Sequence, residues 1–483
     1  MRNSLLLITL LFLSNTAYPQ FTLEQLLSSP FPSDLIASQE EDKIAWVYNE
    51  QGKRNIWIAK QAGTMASKVT NFTEDDGQAI SNLIFKENTK EIIFVRGGAP
   101  NRKGEIPNPT SQPDGAKRLI LKVSETGSEI DTIAEGSSPT LSTAAKYLAY
   151  IKKGQVWIYN TKSKKAKQLF KIRGSAGSLR WSPDGKHIAF VSNRGTHSFV
   201  GIYNLSKEEL KYIAPTADRD GQPVWSPDGQ SLAFLSIPVE KQILPFMPRR
   251  TSLPFSIWRH DLSDSQTRKI WIAQEGTGST FRNISASNQL IWTQDNHIVF
   301  PYEGNGWTQL WSIPATGGEA KNLTPGEFEV QYVSTNKDQS KIYYSSNQND
   351  INRQHIWTVT TASTPEQLSD AGIQWLPAIS ATGKVYALAS TGTVPAHVAH
   401  IGPKAALPVV KSILIDYPKE LVQPEAITFK ATDGMTIHGQ LFKPRNMEKG
   451  KKYPAVLFFH GGCLLYTSPS PRDQRGSRMP SSA

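Results

Sequence analysis

One phrase written twice constrains this chain more than any other feature. "SLRWSPDGKHIAFVSN" begins at Ser178 and "QPVWSPDGQSLAFLS" begins at Gln222, so Trp181 and Trp225 stand 44 residues apart. Looser copies surround them: "DKIAWVYNEQGKRNIWIA", "KEIIFVRG", "PTLSTAAKYLAYIKKGQVWIYN", "NHIVFPYEGNGWTQLWSIP", "VSTNKDQSKIYYSSNQNDINRQHIWTV" and "PAISATGKVYALAS". Each reads as a short apolar strand, a turn, a β-branched or aromatic strand, a second turn, and a strand ending in Trp or Tyr. Asp184-Gly185 and Asp228-Gly229 offer positive φ for a tight hairpin, with the preceding proline fixing the way in. A sheet of three or four strands cannot hide both of its faces alone. Sheets repeated every 40 to 50 residues or so bury them against each other in a ring, which is a β-propeller. About eight copies imply seven or eight blades. A β-sandwich would leave the fixed phrase and period without a cause.

The composition agrees: 12 Trp, 15 Tyr and 19 Phe in 483 residues are ample for large cores. There is a single cysteine, Cys463, so no intrachain disulfide is available and packing must hold the fold. The net charge of +11 includes Arg2 and about two charges from the last residues. The other Lys and Arg read as scattered among Asp and Glu, with no basic helix and no arginine-aromatic interleaving. A mixed solvated surface is expected rather than a nucleic-acid site.

The first residues, "MRNSLLLITLLFLSNTAYPQ", carry one Arg, an apolar run from Leu5 to Leu13, then small and polar residues. This pattern predicts a secretory signal over 1–20 and export to the periplasm or outside. No later stretch is long and apolar enough to cross a membrane as a helix. One segment, 237–258, breaks the repeat with four prolines and is expected to be an excursion at the rim, where Arg249 and Arg250 could meet a substrate carboxylate.

After about residue 410 the pattern changes. "PEAITFKATDGMTIHGQLFKP" reads as a hairpin about Asp433-Gly434, and "PAVLFFHGG" as a buried parallel strand running into a glycine turn. The SPDGK units resemble the blades of TolB-like and dipeptidyl peptidase IV-like propellers. A propeller, then a hairpin, then a strand ending in His-Gly-Gly resembles the prolyl oligopeptidase family of serine peptidases over about 21–462. The fold expected is thus all-β: a seven- or eight-bladed propeller over 21–410, then over 411–462 the truncated start of an α/β-hydrolase domain, a hairpin plus one strand.

The resemblance implies a peptidase acting on short peptides, without cofactor or metal, through an acyl-enzyme. It places His460 beside the oxyanion as a hydrogen-bond donor, with Gly461 and Gly462 shaping that loop. The family's nucleophile sits in Gly-x-Ser-x-Gly, and no such motif occurs in the chain. The family continues with Pro where Cys463 stands. "CLLYTSPSPRD", three residues, then "SRMPSSA" reads as one frame of a sequencing-library adapter, so 463–483 is expected to be non-native and Cys463 no nucleophile. The alternative is a propeller used only for protein binding, as in TolB-like proteins.

Two other groups stand out. His397 and His400 are spaced as metal ligands can be, but no carboxylate cluster accompanies them. Glu208-Glu209 resembles the acidic pair with which dipeptidyl peptidases hold a substrate's amino terminus. The aromatic frame is missing, and Lys207 and Lys211 point to an exposed turn.

Overall fold

Each copy of the phrase becomes four antiparallel strands. A computed structural model describes residues 21–60, 66–98, 115–127, 129–239, 252–402, 405–410 and 417–458. Apart from the short helix Leu23–Leu27, capped by Thr22, and brief 3₁₀ turns, the described regular structure is strand. Eight four-stranded units follow in order, at 31–68, 80–135, 137–170, 175–212, 219–272, 291–322, 330–367 and 373–408. We number them blades 1 to 8. Blades 4 and 5 join into one sheet through a single parallel pair, Ser198 with Arg219.

The ring is visible in the cores. Eight hydrophobic clusters occur among the described residues, one at each blade interface. In "HIAFVS" the period of two sends Ile188 and Phe190 towards blade 3 and Ala189 towards blade 5. Alternate large and small residues thus fill successive interfaces. The eighth cluster joins Ile44, Trp46 and Tyr48 of blade 1 to Tyr386, Leu388 and Val398 of blade 8, which closes the circle. Among the described residues no blade borrows a strand from the other end of the chain, so side chains and a backbone bond from Ala381 N–H to Ser38 O at 3.0 Å close the seam. First strands contact first strands of neighbouring blades and therefore lie nearest the axis, while last strands such as Lys165–Phe170 lie exposed at the rim.

The repeated phrase now has a mechanical reading. The Trp181 indole donates to the carbonyl of Thr140 at 3.1 Å, and that of Trp225 to the carbonyl of Arg180 at 3.1 Å. Each tryptophan therefore stitches its blade to the first strand of the blade before. The turn differs from a double positive-φ hairpin. Only the glycine is left-handed, with φ +69° at Gly185 and +70° at Gly229. Ser182 donates to Asp184 at 2.6 Å and accepts from His187 N–H at 2.9 Å, and Ser226 repeats this with Asp228 and Ser231. The side chains of Ser and Asp, rather than a left-handed Asp, shape the corner.

Beyond the ring, Glu425–Lys430 and Thr436–Leu441 form the expected hairpin, with Gly434 at φ +86°. The strand expected in "PAVLFF" is not formed: over 451–458 no residue joins a ladder, and Val456 is 95% exposed. A buried parallel strand needs neighbours on both edges and cover on both faces. Among the described residues nothing supplies either.

Candidate functional site

His460, Gly461 and Gly462 lie outside the described residues, as do Cys463, Arg249, Arg250 and the N-terminal twenty. What the fold does provide is the face from which the C-terminal segment departs. In a four-stranded antiparallel blade the start of the first strand and the end of the fourth lie at one end. Residues 31 and 408 therefore mark a common exit face, which also carries every second-to-third-strand turn. The Gln423 amide donates to Thr393 Oγ1 at 2.9 Å and Thr391 Oγ1 at 3.3 Å, within such a turn of blade 8. This ties the root of the hairpin to the exit face.

Two buried carboxyls stand on that side. Asp220 opens the first strand of blade 5, and burial pushes its carboxyl up to about 6. Its Oδ2 has no hydrogen-bond partner among the described residues. Glu329 precedes the first strand of blade 7 and is pushed by burial to about 7. Its carboxylate accepts from Thr308 N–H at 3.2 Å, while Glu303 nearby pairs with Arg282 at 2.8 Å. Groups poised near neutrality can give or take a proton. No motif announced them, because isolated Asp and Glu look like surface until the blades bury them.

The bore has its own architecture. Asp34, Asn82, Ser138, Ser178, Gln222 and Leu376 adopt φ of +49° to +56°, one in the first strand of each of six blades. Each sits in a register shift, followed by a buried Leu or Pro. Such bulges bend the crowded inner strands at about 1 kcal/mol or more per non-glycine residue.

A strap crosses this space. Ser285–Ala286 adds, in parallel, to the free inner edge of blade 7, opposite Tyr332 and Val333. Arg180 of blade 4 donates to the carbonyl of Ser287. Asn288 donates to Pro223 O of blade 5 at 2.9 Å, and Gln289 closes the loop on Ile284 through a pair of 2.9 Å bonds. Burial draws the Arg180 guanidinium below its usual pKa.

The two histidines and the acidic pair lie apart from this space. His397 and His400 are three apart on one strand, so their side chains leave opposite faces and cannot share a metal. His397 is buried with Nδ1 2.8 Å from Pro395 O, and His400 lies edge-on to Tyr386. Glu208 and Glu209 occupy an exposed third-to-fourth-strand turn beside Lys167 and Lys211, on the face opposite the hairpin root.

Comparison with known proteins decides the type of ring. The model of the TolB β-propeller domain matches residues 92–241, and that of the dipeptidyl peptidase IV N-terminal region matches 253–395. The chain carries a dipeptidyl peptidase IV-like propeller. Probable dipeptidyl peptidase 4 of Neosartorya fischeri is 27% identical over 180 residues, which is 35% of this chain and 24% of that protein. Its Aspergillus clavatus counterpart is 29% identical over 168 residues, 33% of this chain and 22% of that one. Human dipeptidyl peptidase 8 is 51% identical over 39 residues, 8% and 4% of the respective chains. The alignments thus span about a quarter, at most, of these curated relatives. The crystal structure of Porphyromonas gingivalis dipeptidyl peptidase 4 superposes with a TM-score of 0.64 at 12% identity, covering 91% of this chain and 69% of that one. That likeness establishes the fold. In the dipeptidyl peptidase IV-like propeller seen here, the eight-bladed count and the exit face are properties of this chain's own strands.

Proposed function

We propose that this chain is the propeller and first hydrolase segment of an exported serine peptidase that hydrolyses short peptides. The observation that carries the reading is the order and attachment of parts: a dipeptidyl peptidase IV-like ring, then a hairpin rooted on its exit face through Gln423. In the complete protein a serine hydroxyl attacks the scissile carbonyl carbon as a histidine takes its proton. The carbonyl oxygen becomes an oxyanion, which His460 and backbone N–H groups stabilise. The histidine returns the proton to the leaving amine as the C–N bond breaks. Water then hydrolyses the acyl-enzyme by the same steps. An aspartate orients the histidine. The 483 residues alone contain no serine elbow, so they are inactive on this reading.

The ring acts as a selector of what reaches that chemistry. The strap at 284–289 supports this role, since it occupies the bore that a large chain would have to thread. The domain limits proposed are 1–20 for the signal, 21–410 for the ring, 411–462 for the hydrolase start and 463–483 for the adapter-derived tail.

The TolB match over 92–241 favours a second reading, a propeller used only to bind protein. Sequencing the native locus past the Gly462 codon separates the two. A Gly-x-Ser-x-Gly followed by Asp and His, in a product that a fluorophosphonate labels, supports the peptidase. A prompt stop codon supports the binder.

A further inference from the structure

Blade 3 departs from the mixed charge expected of the surface. Between Ser137 and Pro183 the chain has ten Lys and Arg and no Asp or Glu. The fold gathers most of them on one side. Lys162 and Lys164 sit in the turn before the outermost strand, Lys165 and Lys167 on that strand, and Lys171 and Arg173 just after it. All six are exposed. Among the described residues Lys162, Lys164, Lys165 and Lys171 have no ion-pair partner, and Lys167 reaches only Glu208, at 4.0 Å. The display is ordered. Asn160 Oδ1 accepts from the N–H groups of Lys162 and Ser163, and Thr161 donates to Ala145 O at 2.9 Å.

We infer that the outer edge of blade 3 docks the protein peripherally on an anionic lipid surface. The shape selects this partner. The strand of six residues runs for roughly 20 Å along a convex rim. Lys164 borders a cavity with Lys86, Lys122 and Glu91 of blade 2, whereas Lys165 and Lys167 stand exposed along the strand edge. No exposed aromatic stands between these lysines on which a base could stack. A planar array of headgroups meets a convex basic edge without such features, each nearby lysine strengthening the attraction several-fold. Edge lysines also keep an outer strand from pairing with another sheet, but that duty needs one or two, not an acid-free run of this length.

The test is co-sedimentation of the protein with phosphatidylcholine vesicles doped with phosphatidylglycerol, against phosphatidylcholine alone. Binding is expected to the doped vesicles only, and to be released by salt near 1 M, where screening is within about 3 Å. The variant K162E/K165E/K167E is expected to lose about a hundredfold in partitioning. The control K53E/K90E/K269E, with the same change in net charge elsewhere, is expected to retain most of it. Circular dichroism and the unfolding midpoint check that both variants fold, and the rim positions touch no core. Equal loss in both variants overturns the inference, because net charge alone would then be acting. So does failure of the wild type to bind at low salt, or stronger binding to duplex DNA than to vesicles of equal charge.

Discussion

Asp42 and Lys43 are adjacent in the chain and hold blade 1 to opposite neighbours. The Asp42 carboxylate accepts from Ser380 Oγ at 2.9 Å, Tyr386 Oη at 3.2 Å and the Lys384 ammonium, all of blade 8. The buried Lys43 ammonium lies 2.7 Å from Glu87 and 2.5 Å from Glu125 of blade 2. One corner of blade 1 thus serves both the seam and the first regular interface. With no shared strand at the seam, the three hydrogen bonds of Asp42 add to the backbone bond from Ala381 N–H to Ser38 O.

Removing the Lys43 charge leaves two carboxylates facing each other in a site where the lysine is 1% exposed. K43M is expected to cost about 3–5 kcal/mol in urea unfolding, because an orphaned buried charge is penalised more than an intact pair is rewarded. K43M/E87Q/E125Q is expected to recover much of that. Similar stabilities for the single and triple variants would show that the charges are solvated.

Acid should weaken the seam. Burial opposes ionisation of Asp42, but hydrogen bonds from Lys384 and Ser380 outweigh it and hold the carboxyl below its ordinary value. A depressed folded pKa means stabilisation fully present above the unfolded value of about 4 and lost as pH falls through the folded one. The stability difference between wild type and D42N should therefore shrink on acidification below about pH 4. A difference independent of pH would remove the carboxylate from the seam.

Glu329 has the opposite sign. Burial holds its carboxyl up at about 7 against an ordinary 4.5, so the native state keeps a proton that the unfolded chain releases. Stability is full below about 4.5 and falls as pH rises to about 7, by about 3 kcal/mol over the window. E329Q should flatten this dependence and exceed wild type at pH 8. Parallel pH profiles for the two proteins would contradict the assignment.

Blade 3 builds the repeated corner with alanine where blades 4 and 5 have glycine. Ala145 adopts φ +51°, and its N–H bonds Ser142 O at 2.7 Å like its glycine counterparts. A145G should raise stability by about 0.5–1 kcal/mol, relief of left-handed strain exceeding the added unfolded-state freedom. G185A, with open space around the new methyl, should lower it by about 1 kcal/mol through φ alone. Thermal unfolding of the two variants measures both.

The hairpin should be the first part cut. Phe429, Phe442 and Phe458 are 56%, 58% and 85% exposed, whereas Phe94, Phe190 and Phe234 are at most 1%. Brief chymotrypsin treatment is expected to trim the chain after about residue 423 and leave the ring whole. Cuts in the blades at the same rate would show that the hairpin is as firmly held.

What the sequence determined by itself was local and periodic. Two Ser-Pro-Asp-Gly corners, period-two strands and a phrase repeated with its tryptophan 44 residues on demand sheets that bury both faces, and hence a ring. The hairpin about Asp433-Gly434 was equally legible, because its turn chemistry lies within a few residues. Only the tertiary structure decided the rest. Asp42 meets Ser380 across 338 residues, and the inner bulges fall on Asp, Asn, Ser, Gln and Leu alike, since crowding at the axis imposes them rather than any residue's preference. The "PAVLFF" run shows the same limit from the other side: its composition asks for a buried strand, yet a strand exists only where neighbours accept its hydrogen bonds. Burial of Glu329, the strap in the bore and the basic edge of blade 3 likewise depend on which distant segments the ring brings together, and periodicity carries no record of that.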